Sequence, residues 1–294
     1  MNKLSFVIIG PETENTADLV REIEKKGHLS YVVKLSNIFL EFDNGIFKAL
    51  WKNRDFFDFD IFILRGYNKN LLFAQILAQE LLARKKTVID ETVGKRFVSS
   101  KIYEASMLAQ NKINHPKTWQ AVSFSSYKRI LEKISFPVIA KPVDGQKGQG
   151  IEKIENREQY FSFFAKNRKG YLCQEFLKIG YDIRVFVVNG KALGAMKRHI
   201  IPGDYRSNAS LGAKAEKIDL TEELESLALK AAKVMDYEIA GVDIIEHNKK
   251  LYVLEINSAP QWQKFKEVTG INPAEAIIGY SLDKHKKKND FSPK

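Results

Sequence analysis

The 294-residue chain has one cysteine, Cys173, and five histidines. A single cysteine allows no intramolecular disulfide, so a packed core must hold the fold, as suits a reducing compartment. Cys173 sits in the apolar run Tyr171-Leu172-Cys173, where a small buried residue fits, and no histidine neighbours it in sequence to make it a nucleophile. Long hydrophobic runs are also lacking. None approaches the length of a bilayer span, and Phe6-Val7-Ile8-Ile9 is too short for a secretory signal. The expectation is a soluble, cytoplasmic protein with no membrane partner. There is no internal repeat, and the only biased tract is the short block Lys284-His285-Lys286-Lys287-Lys288.

What is present is ordinary globular composition, 44% hydrophobic and 28% charged, enough to bury a core. The net charge of +11 suits an anionic partner such as ATP, an acidic peptide or nucleic acid, or else a solvated lysine-rich surface. The terminal block reads as a solvated basic tail, because charge runs at termini are usually hydrated.

Periodicity gives the organisation. Strands at Phe6–Ile9, Tyr31–Leu35, Asp60–Leu64 and Thr87–Ile89 alternate with helices at Thr16–Lys26 and Asn70–Ala83, which predicts a small parallel sheet. A helix over Ser99–Asn111 follows, then a strand, Phe136–Lys141, a glycine-rich loop from Asp144 to Gly150, a helix over Arg157–Lys166 and a strand, Tyr171–Phe176. Beyond these come two hairpins. One turns at Asn189-Gly190, a strong hairpin signal, and the other joins Val242–Glu246 to Leu251–Asn257. Between them lies a helix capped by Thr221. The last helix starts at Asn272-Pro273. The expected domains are 1–95, an α/β unit; 96–177, an α+β lobe with the glycine loop; 178–284, a largely antiparallel lobe; and 285–294, the tail.

Three features could carry chemistry. Alternation puts Glu255 and Asn257 on one face of the second hairpin, and a turn centred near Asn248 and Lys249 sets Asp243 opposite Glu255. Carboxylates this close repel unless a cation or proton lies between them, and oxygen donors without His or Cys suit Mg²⁺ or Mn²⁺. Gly145, Gly148 and Gly150 would let backbone N–H groups approach phosphate oxygens, with Lys141 reaching the same anion. No Gly-Lys-Ser/Thr triplet follows, so this is not a P-loop. The third feature is a basic segment, Lys197-Arg198-His199 and then Arg206-Ser207-Asn208, which suits phosphate or carboxylate. Each has a bland alternative: an exposed polar face, a mobile turn, a solvated loop.

The order and combination of these pieces resembles the ATP-grasp superfamily, and within it the RimK-like group of amino-acid ligases. The resemblance spans nearly the whole chain. It rests on Gln174-Glu175-Phe176, Asp182-Ile183-Arg184, Gly203-Asp204-Tyr205-Arg206-Ser207-Asn208, Ala240-Gly241-Val242-Asp243-Ile244, Glu255-Ile256-Asn257-Ser258-Ala259-Pro260 and Thr269-Gly270-Ile271. It implies a small parallel-sheet domain ahead of a two-lobed ATP-grasp fold. It also implies that ATP and Mg²⁺ (or Mn²⁺), two ions, are used to join an amino acid, glutamate foremost, to a carboxylate acceptor through an acylphosphate, with release of ADP and phosphate.

The resemblance assigns roles residue by residue. Lys101 and Lys141 meet ATP phosphates, with Gly145, Gln146, Gly148 and Gly150 closing over them. Glu175 and Phe176 line the adenine, and Asp182 meets the ribose. Arg206, Ser207 and Asn208 face the γ-phosphate and the reacting carboxylate, with Arg198 nearby. Asp243, Glu255 and Asn257 hold the metal, and Arg65 stands near the substrate. Where the group often reads Ala-Ser-Pro-Gly after the asparagine, this chain has Ser258-Ala259-Pro260-Gln261, a departure that borders the acceptor region. Group members are often homo-oligomers. Two other readings are a ligase that modifies a carrier protein or peptide tail, and a non-catalytic nucleotide- or RNA-binding protein. The second has no need of a metal triad, so nucleic acid is not the expected partner.

Overall fold

The computed structural model describes residues 3–67, 70–95, 100–144, 149–167, 170–201 and 214–290. Its first sheet is parallel, in the order Leu29–Val33, Ser5–Ile9, Ile61–Leu64, Thr87–Ile89. These central strands are apolar throughout because both faces are covered. Phe6, Ile8, Ile61 and Ile63 turn to one side and meet Leu19 and Ile23 of the helix Glu14–Lys25. Val7, Ile9, Phe62 and Leu64 turn to the other and meet Ala74, Leu77 and Leu81 of the helix Leu71–Ala83.

A three-stranded antiparallel meander, Phe39–Asp43, Ile46–Trp51 and Arg54–Asp55, also belongs to this region. It is not among the expected elements. Its signal is Asn44-Gly45, both at positive φ (44° and 82°), the two-residue turn that matches strand twist.

The middle sheet runs Glu152–Ile154, Val138–Pro142, Tyr171–Glu175, Thr118–Trp119. Its core stacks Tyr127 on Phe164 with centroids 4.3 Å apart, and Cys173 is fully buried there, its thiol pushed up to about 12 by burial. That agrees with a packing role.

The last sheet has five strands, in the order Ala215–Ile218, Lys191–His199, Tyr181–Val188, Ile239–His247, Lys250–Asn257. Its back is covered by the helix Glu222–Met235, which buries Leu224, Ala228, Ala231 and Met235; the Thr221 hydroxyl accepts from the Leu224 N–H. Leu108 and Ile113 sit in the same core. The helix Lys101–Gln110, expected in the middle lobe, is thus moored on the last one, and its first residue reaches back through a Lys101 N–H to Val143 carbonyl bond.

The front of this sheet is divided. Phe186, Val188 and Met196 lie under Trp262, Phe265 and the final helix, Pro273–Asp290, which also covers the first parallel sheet. That helix runs into the region expected to be a solvated tail. Lys284 pairs with Glu91 and Glu238, and Lys288 donates to the Lys86 carbonyl, so part of the basic block docks instead of trailing in water. The other part of the front face is polar.

Candidate active site

Register builds the polar face. Arg184 lies across from Asp243, Asp182 across from Arg198, and Asp243 across from Glu255. Strand alternation therefore puts all of them, with Asn257, on one side. Beyond Glu255 the ladder slips, so that Ile244 faces Val253 and Leu254 is the extra residue of a bulge.

Half of this face is a closed ladder of charges. Arg184 grips Asp243 with two bonds of 2.7 Å, and Arg198 reaches the same carboxylate at 3.0 Å. Arg198 also holds Asp182 bidentately, through Nε at 2.7 Å and through Nη2. Asp182 is 0% and Arg198 3% exposed. Burial alone would raise Asp243, but Arg184 and Arg198 hold its carboxyl below the usual range. Arg198 is itself desolvated, yet Asp243 and Asp182 raise it. Asp182, expected at the ribose, gives both oxygens to Arg198, and Arg198, expected near the reacting carboxylate, is enclosed between two carboxylates.

Arg184, within the Asp182-Ile183-Arg184 motif, is the ladder's fourth member. The signal for it was available, because pairing Tyr181–Val188 with Ile239–His247 sets it opposite Asp243.

Beside the ladder, against the edge strand Lys250–Asn257, is a pocket lined by Lys101, Glu104, Lys141, Gln174, Leu254 and Glu255. Lys101 Nζ lies 3.4 Å from Glu255 Oε1. Lys141 is lowered by burial, which Glu255 partly opposes. Glu104 is pushed up to about 8 by burial and by the charge of Glu255, and it accepts the Ile256 N–H at 3.1 Å. The pocket thus sets cationic and acidic side chains next to one another.

The glycine loop leaves the strand Val138–Pro142 beside this pocket. Gly150 is needed where it returns: φ is +70°, and a Cβ there would stand 2.9 Å from Pro142 and 3.3 Å from the Tyr171 hydroxyl oxygen. At the end of Tyr171–Glu175, Glu175 accepts the Lys117 N–H at 3.3 Å, and Lys153 Nζ lies 4.6 Å over the Phe176 ring. Gly145, Gln146, Gly148, Arg206, Ser207 and Asn208 lie outside the described residues.

Arg65, expected near the substrate, is packed against the loop after Asn257. It is 9% exposed, donates to the Pro260 carbonyl at 2.7 Å and stacks over Trp262 at 4.8 Å; burial lowers it to about 10. Tyr67 meets Ser258 at 2.9 Å. Gly241 makes room for this loop, since a Cβ there would stand 2.7 Å from Pro260. Trp262 in turn donates to Asp18, which also accepts from Arg21, Gln263 and Lys266. The loop after Asn257, where the sequence departs from the group's pattern, is therefore held by the first domain.

The donor set can be tested against a metal. Glu255 and Asn257 bring a carboxylate and an amide to the polar face, and Asp243 lies opposite Glu255, although both its oxygens also receive arginine. Among the described residues there is no cluster of three or more His, Cys, Asp or Glu that could hold a metal. Two carboxylates and an amide still fit a hard cation whose remaining ligands come from phosphate or water.

A mixed α/β chain with four sheets among its described residues and a lysine-lined pocket against an acidic hairpin fits the ATP-grasp ligases. A profile of the RimK-like ATP-grasp domain matches residues 98–281, and the chain belongs to that family. It is similar to the probable alpha-L-glutamate ligase 1 of Shewanella sp. (strain MR-4), 27% identical over 284 residues, 95% of this chain and 94% of that one. It is 28% identical to the probable alpha-L-glutamate ligase 2 of Shewanella amazonensis over 276 residues, 92% of each.

Among solved structures, the ATP-grasp ligase PsnB complexed with a phosphomimetic variant of its minimal precursor, Mg and ADP matches at TM-score 0.72 and 17% identity. The match covers 96% of this chain and 99% of that one. The D-alanine–D-alanine ligase of Bacillus anthracis, complexed with ATP, matches at 0.65 and 16%, covering 98% and 100%. The chain is thus an ATP-using, carbon–nitrogen bond-forming ligase. No helix among the described residues is long and apolar enough to cross a membrane.

Proposed function

We propose that this ligase joins an amino acid, glutamate in our reading, to a carboxylate acceptor through an acylphosphate and releases ADP and phosphate. The observation that supports it is the open pocket where Lys101 and Lys141 stand beside Glu255 and Glu104 on the edge of the acidic hairpin. A carboxylate is a poor electrophile because oxide is a poor leaving group. Phosphorylation makes phosphate the leaving group, and an amine can then attack. Phosphate and carboxylate are both anions, so the site must neutralise their repulsion.

Lys101 and Lys141 bind and orient the phosphates, and Gly150 anchors the loop that excludes water from the acylphosphate. Arg206 and Asn208 orient the reacting carboxylate. Glu255 and Asn257, with Asp243 behind them, would hold Mg²⁺, which would neutralise charge on the transferring phosphoryl group. Glu175 and Phe176 bound the adenine end. Arg65 acts indirectly, by fixing the Pro260–Trp262 loop that borders the acceptor.

The names of the Shewanella relatives support glutamate as donor. A second reading, a peptide as acceptor, is favoured by the resemblance to ligases solved with precursor peptides and by the net charge of +11, which suits an acidic chain. The test is ADP release with ATP, Mg²⁺, each amino acid and a panel of carboxylate acceptors, followed by product mass. A gain of glutamyl units on a small acceptor or on a peptide decides between the readings. AMP and pyrophosphate in place of ADP and phosphate would overturn the acylphosphate route.

A further inference from the structure

The strand Lys250–Asn257 is the edge of the five-stranded sheet, so its outward N–H groups need partners other than a strand. The segment after residue 100 supplies them. Val253 N–H donates to the Asn114 carbonyl at 2.8 Å, and Ile256 N–H donates to Glu104 Oε2 at 3.1 Å. Ile256 lies between Glu255 and Asn257, so whatever holds its amide sets the direction of both neighbouring side chains. Glu104 stands three residues after Lys101 on the helix Lys101–Gln110, and side chains at that spacing share a face. Leu108 moors the helix on the last lobe, while the Lys101 N–H reaches the Val143 carbonyl beside the middle sheet. Glu104 is thus the one side chain among these contacts that ties the lysine-bearing helix to the backbone of the acidic strand.

We propose that Glu104 is a positioning residue of this ligase: through the Ile256 amide it fixes the strand between Glu255 and Asn257 and couples it to the helix carrying Lys101. This rests on the reading that Glu255 and Asn257 hold the cation. A purely structural glutamate would alter melting temperature and leave metal-dependent and metal-free nucleotide binding in the same ratio. A positioning glutamate changes that ratio.

The experiment is calorimetric titration of the full chain with ADP, with and without Mn²⁺, for wild type, Glu104→Gln, Glu104→Leu and Glu104→Ala. Leucine and alanine remove the acceptor and carry the same expectation, so either suffices if the other does not fold. Glutamine keeps an acceptor oxygen for the Ile256 amide. The leucine or alanine variant should lose about tenfold or more in Mn²⁺–ADP affinity while metal-free ADP affinity changes less than about threefold, the range in which partners of metal ligands act. Glutamine should stay within about threefold of wild type in both, since a neutral acceptor can serve the amide.

The proposal is overturned if the leucine or alanine variant keeps the full Mn²⁺ enhancement, if both affinities fall in parallel, or if glutamine falls as far as leucine. A wild type that binds ADP no better with Mn²⁺ overturns the metal-site reading and this proposal together. A wild type that shows the gain beside a variant that keeps it overturns the proposal alone.

Discussion

The polar face of the last sheet and the pocket at its edge strand hold two sets of charges with the same formal content and opposite behaviour. The ladder of Asp182, Arg198, Asp243 and Arg184 contains two acids and two bases, locked by bidentate bonds and nearly sealed from solvent. The pocket of Lys101, Lys141, Glu104 and Glu255 also contains two acids and two bases. There Lys101 Nζ meets Glu255 Oε1 at 3.4 Å, and the Glu255 side chain is 38% exposed. Geometry decides the difference. Planar guanidinium forks on adjacent strands match carboxylates two bonds at a time, whereas lysine ammonium groups are point charges that an arriving phosphate can claim. One set is locked within the sheet, and the other lines a pocket at its edge.

The largest effect that would break this contrast belongs to the ladder. Arg198→Ala takes away the cation between two buried carboxylates and should cost about 3–5 kcal/mol in unfolding free energy, read by denaturant melting. Asp243→Ala removes the shared acid from between two arginines and should destabilise in the same range, so any loss of activity in that variant has two causes. A melt within about 0.5 kcal/mol of wild type for either variant, the range of an ordinary surface substitution, would show that the ladder is not structural.

Next come the pocket variants. Glu255→Gln and Lys141→Ala should lower kcat/KM for ADP release by roughly 10²–10³-fold, as when a preorganised electrostatic partner is lost. Their melting should shift by no more than about 1 kcal/mol, because neither side chain is locked into a buried bidentate pair. If Glu255→Gln instead unfolds like Arg198→Ala, the division between the two sets collapses.

A smaller effect tests how the first domain holds the loop beside the site. Asp18 accepts from Trp262, Gln263, Lys266 and Arg21; burial would raise it, but Lys266 leads the donors that hold its carboxyl far below the usual range. Its contribution to stability is present above the ordinary carboxylate pKa and is lost as pH falls through the depressed one. Asp18→Asn should destabilise by about 2 kcal/mol at neutral pH, and the difference should shrink toward acid. An unchanged gap between pH 7 and acid would sink that assignment.

Local signals in the chain are legible from sequence, and long-range partners are not. Alternation and turn position were enough to place Asp243 opposite Glu255, and that register is observed. The Asn189-Gly190 turn and the Thr221 cap were legible because each is a local device. The ion-pair partners of Asp182 and Arg198 were hidden because they depend on which strands become neighbours, a long-range outcome. Glu104 was invisible for the same reason: its partner is a backbone amide 152 residues away. The terminal lysines look solvated in sequence, and only the fold brings Glu91 and Glu238 to Lys284.

The smallest expected effect lies in that same seam, away from both charge sets, and provides their control. Asp90 is 2% exposed, its Oδ2 has no hydrogen-bond partner, and burial, with the charge of Glu238, pushes it up to about 7. Between the ordinary carboxylate range and that value the folded protein keeps a proton at Asp90 that the unfolded chain has released. Stability therefore falls as pH rises through this interval and stays lower above it. Asparagine is neutral at every pH, so Asp90→Asn should match wild type near pH 4 and exceed it by about 1–2 kcal/mol, a few degrees in Tm, near pH 8.5. Nucleotide affinity should not follow that pH dependence, because Asp90 lines neither the ladder nor the pocket. A variant whose advantage is the same at both pH values would mean that Asp90 is charged in the fold throughout, and that Glu238 and its neighbours hold the seam without a buried proton.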